Sequence, residues 1–200
     1  MLEVHASING LWKEITYVVS DESGTAIIID PGEDCRKIID HVEKRRLRVK
    51  AILNTHAHFD HVSGVEELKK FFSVPFYLHS ADSKLLKQAN LYRLLFGGKN
   101  NIQIPLVAVD LMDVPEVRFK SLRLTVIPCP GHTQGGVAFL CGGKMFTGDN
   151  IIGKKIGRAD LPGGDLEKLH LSFRGLLSHP PETEIYPGHG RMFLLREASQ

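Results

Sequence analysis

Four side chains of the kinds that bind metal ions are concentrated in six residues, and this segment constrains the fold more than any other feature of the sequence. It reads His56-x-His58-x-Asp60-His61 and follows the apolar run Val49–Asn54, which is typical of a strand. Side chains two positions apart in an extended chain point the same way, so His56 and His58 can bind one ion together. Asp60 and His61, where the chain turns into a helix, can reach a second position. The spacing predicts a metal centre at the end of a strand.

Three further segments carry one metal-ligand side chain each, and each follows a predicted strand and contains glycine. They are Pro130–Gly136 with His132, Thr147–Asn150 with Asp149, and Tyr186–Gly190 with His189. Loops at the carboxyl ends of strands are where open α/β sheets bind ligands, and glycine lets the backbone approach a site closely. Each segment alone is a weak indication. Together with the histidine segment, they predict one joint site built from four loops.

The number of ligands fits a pair of ions. Five histidines and two aspartates supply the seven ligands that two four-coordinate ions need when they share one carboxylate. The division that we expect is His56, His58 and His132 on the first ion, Asp60, His61 and His189 on the second, and Asp149 between them. We expect two divalent ions, zinc in the first place, although nitrogen and oxygen ligands suit iron and manganese as well.

Composition excludes several classes of function. Of the 200 residues, 42% are hydrophobic and 24% are charged, which is enough apolar mass for a core and excludes disorder. Lys and Arg (25) nearly balance Asp and Glu (23), and the net charge of +2 does not predict nucleic-acid binding. No apolar run approaches the roughly 18 residues of a membrane helix, so we expect no membrane association. Three cysteines without Cys-x-x-Cys spacing, and no secretory signal pattern, predict a cytoplasmic protein without disulfides.

The order of strands and helices predicts a single α/β domain over residues 1–200. Apolar runs and turn residues predict strands at 16–20, 25–30, 49–54, 74–78, 116–128, 136–141, 144–147 and 184–186, and helices at 33–45, 62–72, 80–96 and 166–177. Residues 97–113 are interpreted as a loop, and Asp165 as the cap of the last helix. Hairpins, one of them turning at Gly142-Gly143, are mixed with strand–helix alternation. This mixture favours two mixed β-sheets flanked by helices over one doubly wound sheet.

In order along the chain, these motifs resemble those of the metallo-β-lactamase superfamily, and within it the glyoxalase II-like hydrolases. The matching segments are Asp30-Pro-Gly32, Thr55-His-x-His-x-Asp-His61, Gly131-His132, Gly148-Asp149 and Pro187-Gly-His-Gly190, and the resemblance extends from about residue 12 to residue 190. It implies an αββα sandwich with the site between the edges of the two sheets. It also implies that Asp149 bridges the ions and that Asp30 supports the histidine segment from behind, a turn residue before Pro31 being the alternative for Asp30. True β-lactamases usually have cysteine among their second-metal ligands, so lactam hydrolysis is not expected.

The resemblance implies a binuclear hydrolase of acyl groups, with thioesters as the expected class. A water that bridges two cations loses a proton near neutral pH and becomes the nucleophile, while a metal ion polarises the substrate carbonyl. We expect Asp60 to take part in catalysis beside this bridging water. Two divalent ions with two carboxylates and one hydroxide retain a small positive charge, which favours a small anionic thioester or acyl substrate.

Substrate recognition is less well defined by the sequence. Glyoxalase II itself carries a C-terminal helical domain that supplies basic residues for glutathione, whereas only residues 190–200 follow His189 here. We therefore expect no separate substrate domain and a weak preference for glutathione. Lys154 and Arg158 follow Asp149 closely and can bind a substrate carboxylate, and a solvated basic loop is the alternative.

Four other conspicuous residues are interpreted as structural. Cys129 fits a small buried residue at a strand better than a redox group. Trp12, Tyr92 and Phe96 are of the right kind to line an acyl pocket, but core packing is the favoured interpretation.

Three other functions are weighed against the thioester hydrolase. Persulfide dioxygenases bind one iron, and the segment Gly157-Arg158-x-Asp160 resembles a segment of theirs. Their last motif, however, typically differs from Pro187-Gly-His-Gly190. A ribonuclease Z-like protein would need a tRNA-gripping arm, which has no counterpart here, and more positive charge. A non-catalytic metal-stabilised protein would not need a seven-ligand set with an open water position. Metal content separates the hydrolase from the dioxygenase, since two ions favour the hydrolase and one iron with oxygen uptake favours the dioxygenase.

Overall fold

The computed structural model describes residues 2–199, and most of its strands lie in two stacked mixed sheets. The first sheet contains, in spatial order, β1 (Glu3–Asn9), β2 (Glu14–Ser20), β3 (Thr25–Ile29), β4 (Arg48–Leu53), β5 (Phe76–Leu78) and β6 (Val109–Asp110). The second contains β7 (Glu116–Phe119), β8 (Leu122–Pro128), β9 (Val137–Cys141), β10 (Lys144–Gly148), β13 (Glu184–Pro187) and β14 (Phe193–Leu194), in the order β14-β13-β10-β9-β8-β7. A small ribbon pairs β11 (Ile151–Ile152) with β12 (Lys155–Ile156).

Strand direction divides each sheet into parallel and antiparallel parts. In the first sheet, β1, β2 and β3 are antiparallel neighbours, whereas β3, β4, β5 and β6 run parallel. In the second sheet all neighbours are antiparallel except β10 and β13. The strands β8, β10 and β13 therefore run in the same direction and end at the same edge.

Helices connect and cover the sheets. Those of the described residues are α1 (Cys35–Lys44), α2 (Phe59–Val62), α3 (Val65–Phe72), α4 (Ser83–Lys87), α5 (Ala89–Leu95) and α6 (Leu166–Leu177). None of these helices, within residues 2–199, has the length and the apolar character that crossing a bilayer requires.

Apolar side chains form three layers, because alternate residues of a strand point to opposite faces of its sheet. In β3, Ile28 belongs to the layer that includes α1 and α3, whereas Ile27 belongs to the layer between the two sheets. In β9, Phe139 lies in that middle layer, whereas Ala138 lies in the layer that includes residues of α6. Both sheets are thus covered on both faces.

This architecture confirms the predicted fold class of two mixed sheets flanked by helices. The hairpin of β2 and β3 forms as predicted. The turn between β9 and β10 uses Gly142 and Gly143 with φ of 55° and 76°, a conformation that glycine adopts without strain. Asp165 caps α6, because its carboxylate accepts the backbone N–H of Lys168 at 3.0 Å.

The predicted helix over 62–72 is instead two short helices, α2 and α3, which meet at Gly64. The Gly64 N–H donates to Pro31 O at 2.9 Å, and a Cβ at residue 64 would lie 2.2 Å from Gly32 O. The chain therefore bends where it passes closest to the turn after β3, and only glycine fits there.

Two strands of the first sheet are absent from the prediction, and one predicted helix is divided. The strand β1 precedes the first predicted element, and the two-residue β6 lies inside the predicted loop 97–113. The predicted helix over 80–96 begins as a 3₁₀ turn at Ser80–Asp82 and continues as α4 and α5. Short elements of this kind carry too few residues for a periodic pattern.

Candidate metal centre

The ends of four strands meet at one edge of the two sheets and bring the predicted ligands together. In the first sheet, β4 ends directly before the histidine segment. In the second sheet, the parallel strands β8, β10 and β13 end before His132, Asp149 and His189. A backbone hydrogen bond joins the two sheets here, since the Val137 N–H donates to Thr55 O at 2.9 Å. Each sheet therefore contributes part of the site.

His56, His58 and His132 form the first cluster, and their ligand atoms lie within 4.8 Å of one another. All three rings are buried, and His58 Nδ1 is 2.9 Å from His132 Nε2. Two nitrogens that are each about 2.1 Å from one tetrahedral ion lie about 3.4 Å apart, so this pair is within about 0.5 Å of the spacing of ligands that share an ion. His56 Nε2 is buried and has no hydrogen-bond partner among the described residues.

Burial favours the neutral form of two of these imidazoles. Burial, and after it the neighbouring His132, lowers the pKa of His58 to about 3. Burial and then the surrounding histidines lower the pKa of His56 well below its usual value. Neutral imidazole is the form that binds metal ions, so both side chains are ready to bind at neutral pH.

A backbone carbonyl fixes the orientation of the third ring. His132 Nδ1 lies 2.7 Å from Arg158 O, and because a carbonyl can only accept, Nδ1 carries the hydrogen. The lone pair of His132 Nε2 is then directed toward His58 and Asp149. Such support of the far ring nitrogen is typical of histidines that bind metal ions.

Asp60, His61 and His189 form the second cluster, again with ligand atoms within 4.8 Å of one another. Asp60 Oδ2 lies 3.3 Å from His189 Nε2 and 3.9 Å from His61 Nε2, and the two Nε2 atoms are 3.4 Å apart. Although burial opposes it, contact with His61 and His189 lowers the pKa of Asp60. For His61 and His189, burial alone would lower the pKa. The nearby carboxylates outweigh burial, and the pKa of both histidines is raised. Protons and a metal ion therefore compete for the same negative charge in this cluster.

Asp149 lies between the two clusters. Its Oδ2 is 3.6 Å from His132 Nε2 and 3.6 Å from His189 Nε2, and its Oδ1 is 3.6 Å from His61 Nε2. Asp149 Oδ1 is also buried and makes no hydrogen bond among the described residues. One carboxylate thus faces ligand atoms of both clusters, which is the position required of a residue that binds two ions.

Asp30 lies behind the histidine segment, at the position that the resemblance implies. It accepts the Thr55 N–H at 2.7 Å and the Thr55 hydroxyl at 2.6 Å, and its Oδ2 is 3.2 Å from His61 Nδ1. Its φ of 48° is left-handed, which aspartate tolerates better than most residues. Asp30 therefore holds the backbone of the segment and the far ring nitrogen of His61 at once.

A second supporting aspartate, Asp82, is also buried, and the sequence did not predict it. Its carboxylate accepts the N–H of Ala57 at 3.0 Å, the hydroxyl of Thr133 at 2.9 Å and the N–H of Gly135 at 2.7 Å. Burial raises the pKa of Asp82, and these hydrogen bonds oppose the rise. Asp82 joins the histidine segment to the loop of His132. In the sequence, Asp82 is an acidic residue near the start of the predicted helix 80–96. A residue of this kind indicates a helix cap and does not indicate a functional site.

A cavity of about 260 Å³ opens onto both clusters. It is lined by the predicted ligands His58, Asp60, Asp149 and His189, by the rings of Trp12, Phe59, Tyr92 and Phe96, by Arg158, and by Ile152, Leu161 and Pro162. Three of the four aromatic rings were expected in the core, and Trp12 and Tyr92 do pack against the first apolar layer. They and Phe96 nevertheless also line the cavity. Cys129 is buried, as predicted.

The two basic residues predicted to bind substrate lie in different surroundings. Arg158 lines the cavity, and its guanidinium donates two hydrogen bonds of 2.7 Å to the carboxylate of Asp160. Lys154 is exposed, and its ammonium lies 2.6 Å from the carboxylate of Glu197. Lys154 is not among the residues that line the cavity. The structure brings Arg158 to the site and does not bring Lys154 there.

These residues fit divalent metal ions. The donors are imidazole nitrogens and carboxylate oxygens, the set that suits zinc, iron or manganese. The buried atoms His56 Nε2 and Asp149 Oδ1 have no hydrogen-bond partner among the described residues. Burying an unpaired polar atom destabilises the fold unless another partner binds it. An ion in each cluster would supply that partner.

Comparison with known proteins places the chain in one family. The family model of the metallo-β-lactamase superfamily matches residues 14–189. A probable metallo-hydrolase of Methanocaldococcus jannaschii is 33% identical over 174 residues, which are 83% of this chain and 83% of that protein. A hydroxyacylglutathione hydrolase of Methylobacillus flagellatus is 32% identical over 168 residues, which are 84% of this chain and 59% of that protein.

Solved structures agree over nearly the whole chain. The BLEG-1 B3 metallo-β-lactamase superposes with a TM-score of 0.91 at 29% identity, covering 98% of this chain and 95% of that one. TTHA1623, solved in a di-iron-bound form, superposes with a TM-score of 0.87 at 36% identity, covering 97% of this chain and 96% of that one.

Proposed function

The chain belongs to the metallo-β-lactamase superfamily, and from this premise we propose that it is a hydrolase that uses two divalent metal ions to cleave small anionic thioesters. The observation that carries the proposal is the position of Asp149, whose carboxylate faces ligand atoms of both clusters. The hydroxyacylglutathione hydrolase among the relatives supports a thioester substrate. The two irons of TTHA1623 support a pair of ions.

The first ion would be held by His56, His58 and His132, the second by Asp60, His61 and His189, and Asp149 would bind both. When bound, such ions supply an acidified water and a polarised acyl carbonyl. Zinc is the proposed metal, and iron is the alternative that TTHA1623 favours.

The protein's own side chains would bind and orient the substrate. Asp60 lines the cavity with a carboxylate whose pKa is lowered, so it can accept a hydrogen bond from a water beside the reacting carbonyl. Arg158 presents a guanidinium at the same cavity and would attract the anionic part of the substrate, although its ion pair with Asp160 reduces that attraction. The aromatic rings line the same cavity with apolar surface.

Metal content and substrate range test the proposal together. We expect purified protein to hold close to two metal ions per chain, to hydrolyse short acyl thioesters, and to lose activity on chelation. His132→Ala should abolish hydrolysis, while His170→Ala, which replaces an exposed histidine of α6, serves as the matched control. One firmly bound iron in active protein, with oxygen uptake on a persulfide, would overturn the proposal in favour of a dioxygenase.

A β-lactam belongs in the substrate panel, because BLEG-1 is a metallo-β-lactamase with nearly the same fold. We expect no lactam hydrolysis. Hydrolysis of the lactam without hydrolysis of any thioester would overturn the substrate class and leave the metal centre intact.

A further inference from the structure

We propose that the cavity selects its substrate by an apolar acyl group, aryl or branched alkyl, which packs against the rings of Trp12, Phe59, Tyr92 and Phe96. This set of four rings is called the aromatic wall below. The inference rests on the proposed function, because it names the acyl class that the same site would hydrolyse. The wall adjoins the ligands directly, since Phe59 immediately precedes Asp60 and both line the cavity.

Three of the four rings of the wall, Trp12, Phe59 and Phe96, are in contact through Phe59. Trp12 meets Phe59 edge to face, with centroids 4.7 Å apart and an interplanar angle of 77°. Phe59 stacks on Phe96 at 5.8 Å and 24°. Contacts of this geometry are favourable beyond the burial of area, so these three rings are arranged before any substrate binds.

Arg93 fixes this arrangement from behind. The side chain is almost entirely buried, and its guanidinium carbon lies 5.0 Å from the centroid of the Trp12 ring, a cation–π contact. Its NH2 group is 2.6 Å from the Glu33 carboxylate, and its Nε donates to Asn100 O at 2.8 Å. A buried cation that Glu33 and Asn100 hold in position keeps Trp12 in place. Trp12 and Phe59 therefore form a preorganised part of the wall, which favours ligands of matching shape.

Size and charge indicate which part of a thioester the wall would contact. About 260 Å³ lies below the roughly 300–1,000 Å³ of pockets that hold drug-sized ligands, so the cavity fits an acyl group and not a whole thioester of a large thiol. Arg158 is the only arginine or lysine among the residues that line the cavity, and it suits an anionic thiol portion. The aromatic wall presents apolar ring surface, and an uncharged apolar acyl group is its complement.

The first experiment compares two thioesters of the same thiol, N-acetylcysteamine, on the metal-loaded enzyme. We expect kcat/KM for the phenylacetyl thioester to exceed that for the acetyl thioester by about tenfold or more, since one matched methylene alone is worth about 10–200-fold. A ratio close to one, or a preference for acetyl, would overturn the inference while leaving the proposed hydrolase intact.

Variants show whether the wall causes the preference. Phe96 is 45% exposed, so Phe96→Ala should not disturb the core, and we expect it to lower the phenylacetyl-to-acetyl ratio about threefold to tenfold. Trp12→Leu should lower the same ratio. The matched control is Phe71→Ala, which removes an exposed phenylalanine that contacts Phe72 on α3 and does not line this cavity. An unchanged ratio in Phe96→Ala and Trp12→Leu would exclude the wall as the cause.

Binding can be measured without turnover, because Trp12 is the only tryptophan of the chain. Titration of the metal-loaded protein with phenylacetate should change the tryptophan fluorescence in a saturable way, whereas acetate at the same concentrations should not. This measurement separates the two proposals. If no thioester is hydrolysed but phenylacetate saturates, the reaction is wrong and the wall stands. If thioesters are hydrolysed and phenylacetate has no effect, the wall is wrong.

Discussion

Asp30 and Asp82 are both buried and each contacts three polar groups next to predicted ligands, yet they serve different clusters. Asp30 contacts Thr55 and His61, and so holds the histidine segment and a ligand of the second cluster. Asp82 binds Ala57, which lies between two ligands of the first cluster, and the loop that follows His132. Each carboxylate therefore positions ligands without being required to touch an ion.

Replacing Asp82 should weaken the first cluster selectively. In Asp82→Asn, one acceptor oxygen becomes an NH2 group, so at least one of the three converging donors loses its partner, at a cost of about 1–3 kcal/mol of stability. We expect metal affinity to fall about 10–100-fold, the usual effect of removing support from ligands. The measurement is metal content and affinity by competition with a chelator.

The matched control for this variant is Asp110→Asn. Asp110 is an exposed carboxylate that accepts two backbone N–H groups, from Ser80 at 2.8 Å and Met112 at 2.9 Å. Its replacement should leave metal affinity unchanged. If both variants bind metal like the parent chain, Asp82 does not position the cluster.

Asp149 should be the least replaceable of the seven ligands, because it alone is assigned to both ions. Asp149→Asn keeps the shape but removes the charge between two cations, so we expect the variant to lose one ion and more than about 100-fold in kcat, beyond the usual effect of supporting residues. His189→Ala should weaken only the second ion. Metal content and kcat of the two variants are to be measured side by side. An Asp149→Asn protein that retained two ions and most of its activity would show that Asp149 does not bridge.

At the scale of secondary structure, the edge strand β1 contacts α1 through two stacked histidine rings. His5 of β1 and His41 of α1 stack with centroids 3.7 Å apart and an interplanar angle of 6°. Burial lowers the pKa of both rings, and for His41 the neighbouring His5 and Arg45 contribute further. Lys44 also lowers the pKa of His41, whereas Glu3 raises it. The stack is thus favoured while both rings are neutral.

The contact should make stability depend on pH below neutrality. A histidine whose folded pKa lies below its unfolded value of about 6.5 stabilises the fold above that pH, and this stability is lost as the pH falls through the folded pKa. His41→Phe keeps a ring that cannot ionise, so its thermal midpoint should fall less between pH 7 and pH 5 than that of the parent chain. The difference between the two falls should be about 2 °C or less, because both histidines are partly exposed and solvent screens their charge. His170→Phe is the control. Equal pH dependence in the parent chain and His41→Phe would show that the stack carries no such coupling.

The sequence predicts the elements that are long and periodic, and it misses those that depend on contacts. The hairpin of β2 and β3 and the helix α6 are foreseen because each holds a regular apolar pattern. The strand β1 pairs along its whole length with β2 but precedes the first clear signal. The two residues of β6 form a strand only because β5 lies beside them.

The candidate site shows the same division. The seven predicted ligands are brought together because their motifs lie next to strand ends, where local sequence specifies geometry. Asp82 could not be found in this way, since its partners Ala57 and Gly135 are 25 and 53 residues distant along the chain. The aromatic wall is equally non-local, because Trp12 and Phe96 become neighbours only in the folded chain.

At the scale of the whole molecule, the metal centre lies across the junction of the two sheets. His56, His58, Asp60 and His61 follow β4 of the first sheet, whereas His132, Asp149 and His189 follow strands of the second. Each cluster takes ligands from both sheets. Bound ions would therefore tie together two halves of the fold that are otherwise held mainly by the middle apolar layer.

Removing the metal should consequently lower the stability of the entire chain and not only its activity. An ion present at 1,000 times its dissociation constant stabilises the folded state by about 4 kcal/mol, and in a chain of this size each kcal/mol moves the thermal midpoint by about 2–4 °C. Two ions together contribute about twice this free energy, so we expect chelation to lower the midpoint by about 20 °C, and two equivalents of metal to restore it. Asp149→Asn, which should hold one ion, should lose about half as much on chelation. A midpoint that stays constant while elemental analysis confirms that both ions have left would show that the middle apolar layer alone holds the sheets together.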